Sequence, residues 1–119
     1  VSKTRKTIWR SDEKLTQDIV TGSGALSVTF NPEGSAKIEE IRLHLDTASA
    51  TCEEFEIQLD SAEGATYDTL LFSHCMDTVK DVWFAESVYV FEGDKLTISW
   101  ANSDSRTYSL EIIYRRYLA

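Results

Sequence analysis

The chain has 119 residues, 42% of them hydrophobic and 27% charged, with a formal net charge of −8. That length suits one domain of ~100–150 residues, and the composition is too apolar for intrinsic disorder. No run reaches the ~18 consecutive apolar residues of a membrane helix, no apolar signal core opens the sequence, and an acidic balance argues against nucleic acid, whose phosphates need clustered Lys and Arg.

Taken in chain order, the pattern predicts strands and almost no helix. If an initiator methionine is removed ahead of Val1, the polar, basic start Val1-Ser2-Lys3-Thr4-Arg5-Lys6 is the native N-terminus and an arm. Thr7-Ile8-Trp9-Arg10 and Lys14 to Val20 read as short edge strands. After the turn Thr21-Gly22-Ser23-Gly24, Leu26, Val28 and Phe30 alternate with small polar residues, the period of two that puts one face of a strand in a core. Asn31-Pro32-Glu33-Gly34 is a strong turn. Ile41, Leu43 and Leu45 alternate with Arg42 and His44, but Ile38 is out of phase, and a bulge at Glu39 or Glu40 restores the register.

Asp46 to Thr51 and Asp77 to Asp81 allow at most one helical turn. Phe55, Ile57 and Leu59 alternate with Glu54, Glu56 and Gln58. Thr69 to Ser73 is apolar on both parities, which predicts a central strand buried on both sides. Val82-Trp83-Phe84 and Val88 to Phe91 are likewise apolar on both parities. Leu96, Ile98 and Trp100, then Tyr108, Leu110, Ile112 and Tyr114, form the last alternating runs, with Trp100, Tyr108 and Tyr114 on inward faces. Ile113 and Val20 fall on outward faces, as an interface patch or under a second layer. Turns at Asp60 to Gly64, Glu92-Gly93-Asp94 and Asn102 to Ser105 separate the strands. The prediction is an all-β, antiparallel β-sandwich of eight or nine short strands, jelly-roll or Ig-like. Residues 1–10 are expected to be a basic N-terminal arm and first edge strand, and 11–119 a single sandwich domain.

The charge is unevenly placed. Lys3, Arg5, Lys6, Arg10, Arg115 and Arg116 give the two ends +6, while residues 11–114 hold six basic and all 20 acidic residues, a balance of −14. Such a split suits a basic arm or edge that meets an acidic neighbour. With Trp9 beside the arm, Lys3, Arg5, Lys6, Trp9, Arg10, Arg115 and Arg116 are the predicted interface residues.

Catalytic and metal chemistry find little support. Ser73-His74-Cys75 places nucleophile types beside a base, but neighbours on a strand diverge, and there is no Gly-x-Ser-x-Gly elbow or phosphate loop. His44, His74, Cys52 and Cys75 lack the spacing of a zinc site. Glu53, Glu54, Glu56, Asp60, Glu63 and Asp68 flank one hairpin but form no EF-hand loop, so solvated acids are expected rather than a Ca²⁺ site. With no signal sequence, Cys52 and Cys75 are expected to be free thiols, although a bridge between them is geometrically open. No cofactor is expected.

Residues 38–115 resemble small β-rich proteins of tailed-phage virions. The parts that carry this are Ile41-Arg42-Leu43-His44-Leu45, Phe55 to Ser61 with Gly64 and Tyr67 to Leu71, Gly93 to Asn102, and Thr107 to Ile112. The resemblance implies a non-enzymatic virion structural protein, made in the host cytoplasm, that decorates or cements a phage capsid. Its implied partners are the major capsid protein or another virion protein and further copies of itself, a trimer by analogy, with no nucleic acid and no membrane. A tail or fibre component is the alternative within viruses. A carbohydrate-binding module, with Trp9 and Trp83 as candidate stacking rings, is the alternative outside them.

Overall fold

The computed structural model describes residues 15–117, so the predicted strand Thr7-Ile8-Trp9-Arg10 lies outside the described residues. Nine strands follow in order: β1 Leu15–Gly22, β2 Leu26–Phe30, β3 Ser35–Leu45, β4 Glu54–Asp60, β5 Thr69–Cys75, β6 Asp81–Phe84, β7 Val88–Val90, β8 Lys95–Trp100 and β9 Tyr108–Tyr117. Sheet I has the order β1-β9-β3-β6, with β7 also on β3. Sheet II has the order β2-β8-β4-β5, and all these pairings are antiparallel. The predicted all-β sandwich is therefore present. Among the described residues, no helix is long and apolar enough to cross a membrane.

The alternating residues meet between the sheets. Sheet I contributes Ile38, Ile41, Leu43, Leu45, Leu110 and Ile112, and sheet II contributes Leu26, Phe55, Ile57, Leu96, Ile98 and Trp100, all buried. At ~1.5–3 kcal/mol for each fully buried large apolar side chain, this layer is the main favourable term in folding. Tyr108 and Tyr114 are buried on the inward face of β9, as their parity predicts.

The bulge expected in β3 is there: Ile38 faces Tyr114 but Glu40 faces Ile113, so Glu39 is the extra residue. It lets Ala36 and Ile38 share the inner face with Ile41, and it leaves Glu39 and Glu40 both outside.

Several expectations are corrected. Among the described residues β5 is an edge strand of sheet II, not a central one, and Leu70 is exposed. Its double apolar parity comes from a second bulge, where Ile57 faces Phe72 and Gln58 faces Leu70, so Leu71 is the residue added between them. Among the described residues a 3₁₀ turn spans Ala65–Tyr67, outside the two stretches, Asp46 to Thr51 and Asp77 to Asp81, that allowed at most one helical turn. Val20 faces Leu110 and packs against the core, and the outward residue of that pair of neighbours is Ile19.

Cys52 and Cys75 form a disulfide, which corrects the expectation of free thiols. Register explains it. Glu54 pairs with Cys75 at the end of the β4–β5 hairpin, and the chain entering β4 brings Cys52 to a Cα–Cα distance of 5.1 Å, inside the range a bridge requires.

The loops at that end are held by side chains. Asn102 is buried in left-handed backbone (φ 51°), a conformation Asn tolerates better than most residues. Its Nδ2 donates to the carbonyls of Gly24 (2.9 Å) and Arg106 (3.0 Å), and its Oδ1 accepts from the Arg106 N–H (2.9 Å). Asn102→Ala removes three buried hydrogen bonds and strains the backbone, so we expect it to cost ~2–4 kcal/mol, read from the urea midpoint. Asp104 accepts from the Ala50 N–H (2.9 Å), Ser49 Oγ (2.9 Å) and Thr51 Oγ1 (3.2 Å). These bonds, the Ala50 N–H first, hold its pKa below the ordinary Asp value. A depressed folded-state pKa gives stability above the unfolded Asp value that is lost as pH falls through the folded one. Acid titration of thermal unfolding should therefore show a shallower loss in Asp104→Asn than in the native protein.

Candidate assembly surface

Strand register arranges the outer face of sheet I into four rows. Leu15, Arg115, Lys37 and Tyr89 form the first, and Gln17, Ile113 and Glu40 the second. Ile19, Glu111, Arg42 and Trp83 form the third, and Thr21, Ser109, His44 and Asp81 the fourth. Large apolar side chains stand out of the two flanks. Trp83 is 62% exposed, Ile19 59% and Tyr89 52%, with Leu15 and Phe91 also exposed. Tyr89 stacks between Phe91 (6.1 Å) and Tyr117 (6.4 Å), extending the aromatic end past the first row.

The ion pairs formed between described residues also lie on this face. Glu39 meets Lys37 (3.6 Å) and Arg115 Nε (3.1 Å). Arg42 bridges Glu40 and Glu111 (3.9 Å to the latter), and His44 Nδ1 contacts Asp81. The hydrogen bond and charge of Glu40 raise the Arg42 pKa. Gln17 donates to Glu111 from the neighbouring strand. The β3 bulge is what supplies two adjacent outward carboxylates to this network. Pairing neutralises the charges in place, which lowers the cost of covering the face with a partner.

Sheet II presents a different exterior. Its outward positions include Ser27, Thr29, Ser99, Thr97, Glu56, Gln58 and Ser73, with Leu70 the large apolar residue among them. Their polar groups bond to one another: Thr97 donates to Asp60 (2.6 Å), Gln58 to Asp60 (3.1 Å) and Ser73 to Glu54 (2.7 Å). This is a surface built for water.

Between β5 and the β6–β7 segment runs an open groove of about 460 Å³, lined by Leu71, Phe72, Trp83, Phe84 and Val88 with Glu86 and Ser87. One carboxylate and one hydroxyl stand there beside the apolar side chains. The four histidine and cysteine candidates do not come together as one set, although Cys52 and Cys75 lie within 4.8 Å of a carboxylate oxygen of Glu54. The sulfurs of Cys52 and Cys75 are bonded to each other, His44 sits with Asp81 on sheet I, and His74 stacks on Phe72 in sheet II. The acids around the β4–β5 hairpin instead fasten loops: Glu53 accepts from the Ser103 N–H (2.9 Å), and Asp68 from the Ser61 N–H (2.8 Å).

Of the predicted interface residues, Lys3, Arg5, Lys6, Trp9 and Arg10 lie outside the described residues. Arg115 is in the outer face, whereas Arg116 falls on the opposite parity, level with Ala36, and reaches the Glu33 carbonyl (3.4 Å). Adjacent strand residues diverge, so the two arginines do not act as one patch. Sequence reasoning missed Leu15, Ile19, Trp83 and Tyr89 as members of a single surface. For Trp83 and Tyr89 the signal was the outward apolar residue within a run that is apolar on both parities.

No family model matches the chain, and no curated protein matches it. Among solved structures, the NLP core of Drosophila is 12% identical with a TM-score of 0.50, covering 87% of this chain and 97% of that one. The nucleoplasmin-like N-terminal domain of Drosophila FKBP39 is 13% identical (TM-score 0.47; 88% and 92% covered). A chain from the capsid of Helicobacter pylori bacteriophage KHP30 is 8% identical (TM-score 0.49; 88% and 95% covered). The likeness to the NLP core shows the fold, a two-sheet antiparallel sandwich, and nothing finer.

Proposed function

We propose that this protein is a non-enzymatic structural component of a virus particle, decorating or cementing a phage capsid through subunit–subunit contacts. The observation that carries the reading is the outer face of sheet I, broad, apolar at its flanks and neutralised by its own ion pairs, on a chain whose other sheet is coated with hydroxyls and acids. Exposed apolar surface of this kind marks a contact site. The sequence resemblance of residues 38–115 to small virion proteins supports the same class of role. In this reading residues 1–10, with Lys3, Arg5, Lys6 and Arg10, form the basic contact to an acidic partner such as the major shell protein. The chain then has two kinds of contact, an arm and a face, and many weak contacts repeated over a lattice add as avidity.

Deleting residues 1–10 tests the arm. Shells lacking this protein, incubated with the shortened chain, should retain at most about a tenth of native occupancy after sedimentation; undiminished occupancy would overturn the assignment. A sugar-binding reading draws on Trp83, whose exposed ring lines the groove. A glycan array separates the two: sugar binding that disappears in Trp83→Ala favours the module, and a blank array favours the particle.

A further inference from the structure

We infer that Cys52, Cys75 and Glu54 are also a metal site, exclusive with the disulfide because it uses the same sulfurs. Once a small-molecule thiol has reduced the bridge, the two sulfurs and the Glu54 carboxylate hold a Zn²⁺ ion. This chemistry goes beyond the proposed function and holds whether or not the chain belongs to a particle.

Strand register brings the ligands together. The spacing of these residues in the sequence forms no zinc motif. In the fold, Glu54 lies directly across from Cys75, and the chain entering β4 carries Cys52 to the same end of the hairpin. The two sulfurs and a carboxylate oxygen of Glu54 all lie within 4.8 Å of one another. A tetrahedral zinc shell, with Zn–S bonds of ~2.3 Å and Zn–O bonds of ~2.1 Å, sets its ligand atoms roughly 3.6–3.8 Å apart. The Cα atoms are 5.1 Å apart, so two nearly parallel cysteine side chains hold their sulfurs at that separation once the bond between them is gone. Glu54 is exposed and has about 1 Å to close.

The donor set selects the ion. Two thiolates favour a thiophilic ion such as Zn²⁺ over Mg²⁺ or Ca²⁺, which take oxygen ligands. The carboxylate is a third, anionic ligand, and water takes the fourth position. Ser73 Oγ donates to Glu54 Oε1 (2.7 Å), the kind of outer hydrogen bond that orients a metal-bound carboxylate, and the second oxygen stays open. Among the described residues Glu54 forms no ion pair, so no lysine or arginine competes for it. The balance of −14 over residues 11–114 draws cations toward the surface.

Access completes the case. Cys52 and Glu54 are exposed and Cys75 is half-buried, so a reductant and a hydrated ion both reach the sulfurs. Two molecules of a thiol RSH pass two electrons and two protons to the bridge, which leaves two cysteine thiols and the disulfide RSSR. Zinc binding then releases both thiol protons to water and forms two Zn–S bonds and one Zn–O bond. The end of the β4–β5 hairpin is thus tied in either redox state, by a covalent bond under oxidising conditions and by the ion where thiols dominate.

Calorimetric titration of the full chain with Zn²⁺ tests this, on the bridged protein and on protein reduced with a thiol and desalted without oxygen. The reduced chain should bind a single ion at micromolar affinity or tighter and release about two protons per ion at neutral pH. With Co²⁺ as the optical probe it should show thiolate-to-metal charge-transfer absorption. Zn²⁺ should raise the thermal midpoint of the reduced protein by several degrees and leave that of the bridged protein unchanged. Glu54→Gln should weaken binding about tenfold or more, whereas Glu56→Gln, the next outward carboxylate on β4, removes the same charge and should stay within roughly twofold. If the reduced chain alone is unfolded, Zn²⁺ should restore its native circular dichroism. No binding by the reduced chain, a reduced chain still unfolded at saturating Zn²⁺, equal binding by the bridged protein, or equal losses in Glu54→Gln and Glu56→Gln would each overturn the proposal.

Discussion

Trp83→Glu is expected to weaken association through the outer face of sheet I by roughly 30-fold or more, while moving the thermal midpoint by less than about 2 °C. Two features of the site separate the effects. Trp83 stands on β6 with 62% of its surface open, so little of the ring is buried by folding. Its cross-strand neighbour is Arg42, beside which a carboxylate is well tolerated. Within an interface the same ring becomes buried area of a kind enriched among dominant contacts, and a carboxylate in its place carries a charge into a desolvated contact. Light scattering for association, with a circular dichroism melt as the fold control, reads both quantities on one sample.

The second large effect is on stability. Replacing Cys52 and Cys75 together by Ser is expected to cost about 3 kcal/mol, since the bridge closes a loop across 23 positions of sequence. The bridge closes the end of the β4–β5 hairpin, and among the described residues no further strand lies beyond β5 in sheet II. An edge strand with pairing on one side, a bulge at Leu71 and an exposed Leu70 depends on such a tie. Amide exchange in β5 should accelerate more than in β8, which is paired on both sides. Equal acceleration in the two strands would show that the bridge acts on the whole sandwich and not on this edge.

The fold was legible wherever one face of a strand is buried and the other wet. Leu26 to Phe30, Ile41 to Leu45, Leu96 to Trp100 and Tyr108 to Tyr114 alternate for that reason. Even the β3 bulge could be read, because an extra residue shifts the parity of everything before it. β5 misled because a bulge and a buried central strand leave the same mark, apolar residues on both parities. Strand order could not be read, since alternation says which way a side chain points but not which strand lies beside it. The disulfide was hidden for the same reason: 23 positions of sequence separate Cys52 from Cys75, and only the hairpin register brings them together.

The candidate surface was partly visible. Charge arithmetic drew attention to the termini, and Arg115 does belong to the face. What the residues alone did not reveal is that Leu15, Ile19, Trp83 and Tyr89, drawn from three separate strands, share one side of sheet I. That required knowing that β1 and β6 flank the same β9–β3 pair.

Hydroxyl-radical footprinting of the free protein and of the protein on its particle tests the central claim most directly, that the outer face of sheet I is covered in the assembly. The account predicts strong protection of Trp83, Ile19 and Ile113 on the particle, with Leu70 on sheet II reacting as it does in the free chain. Trp83 and Ile19 as reactive on the particle as in dilute solution, with Leu70 protected instead, would contradict it.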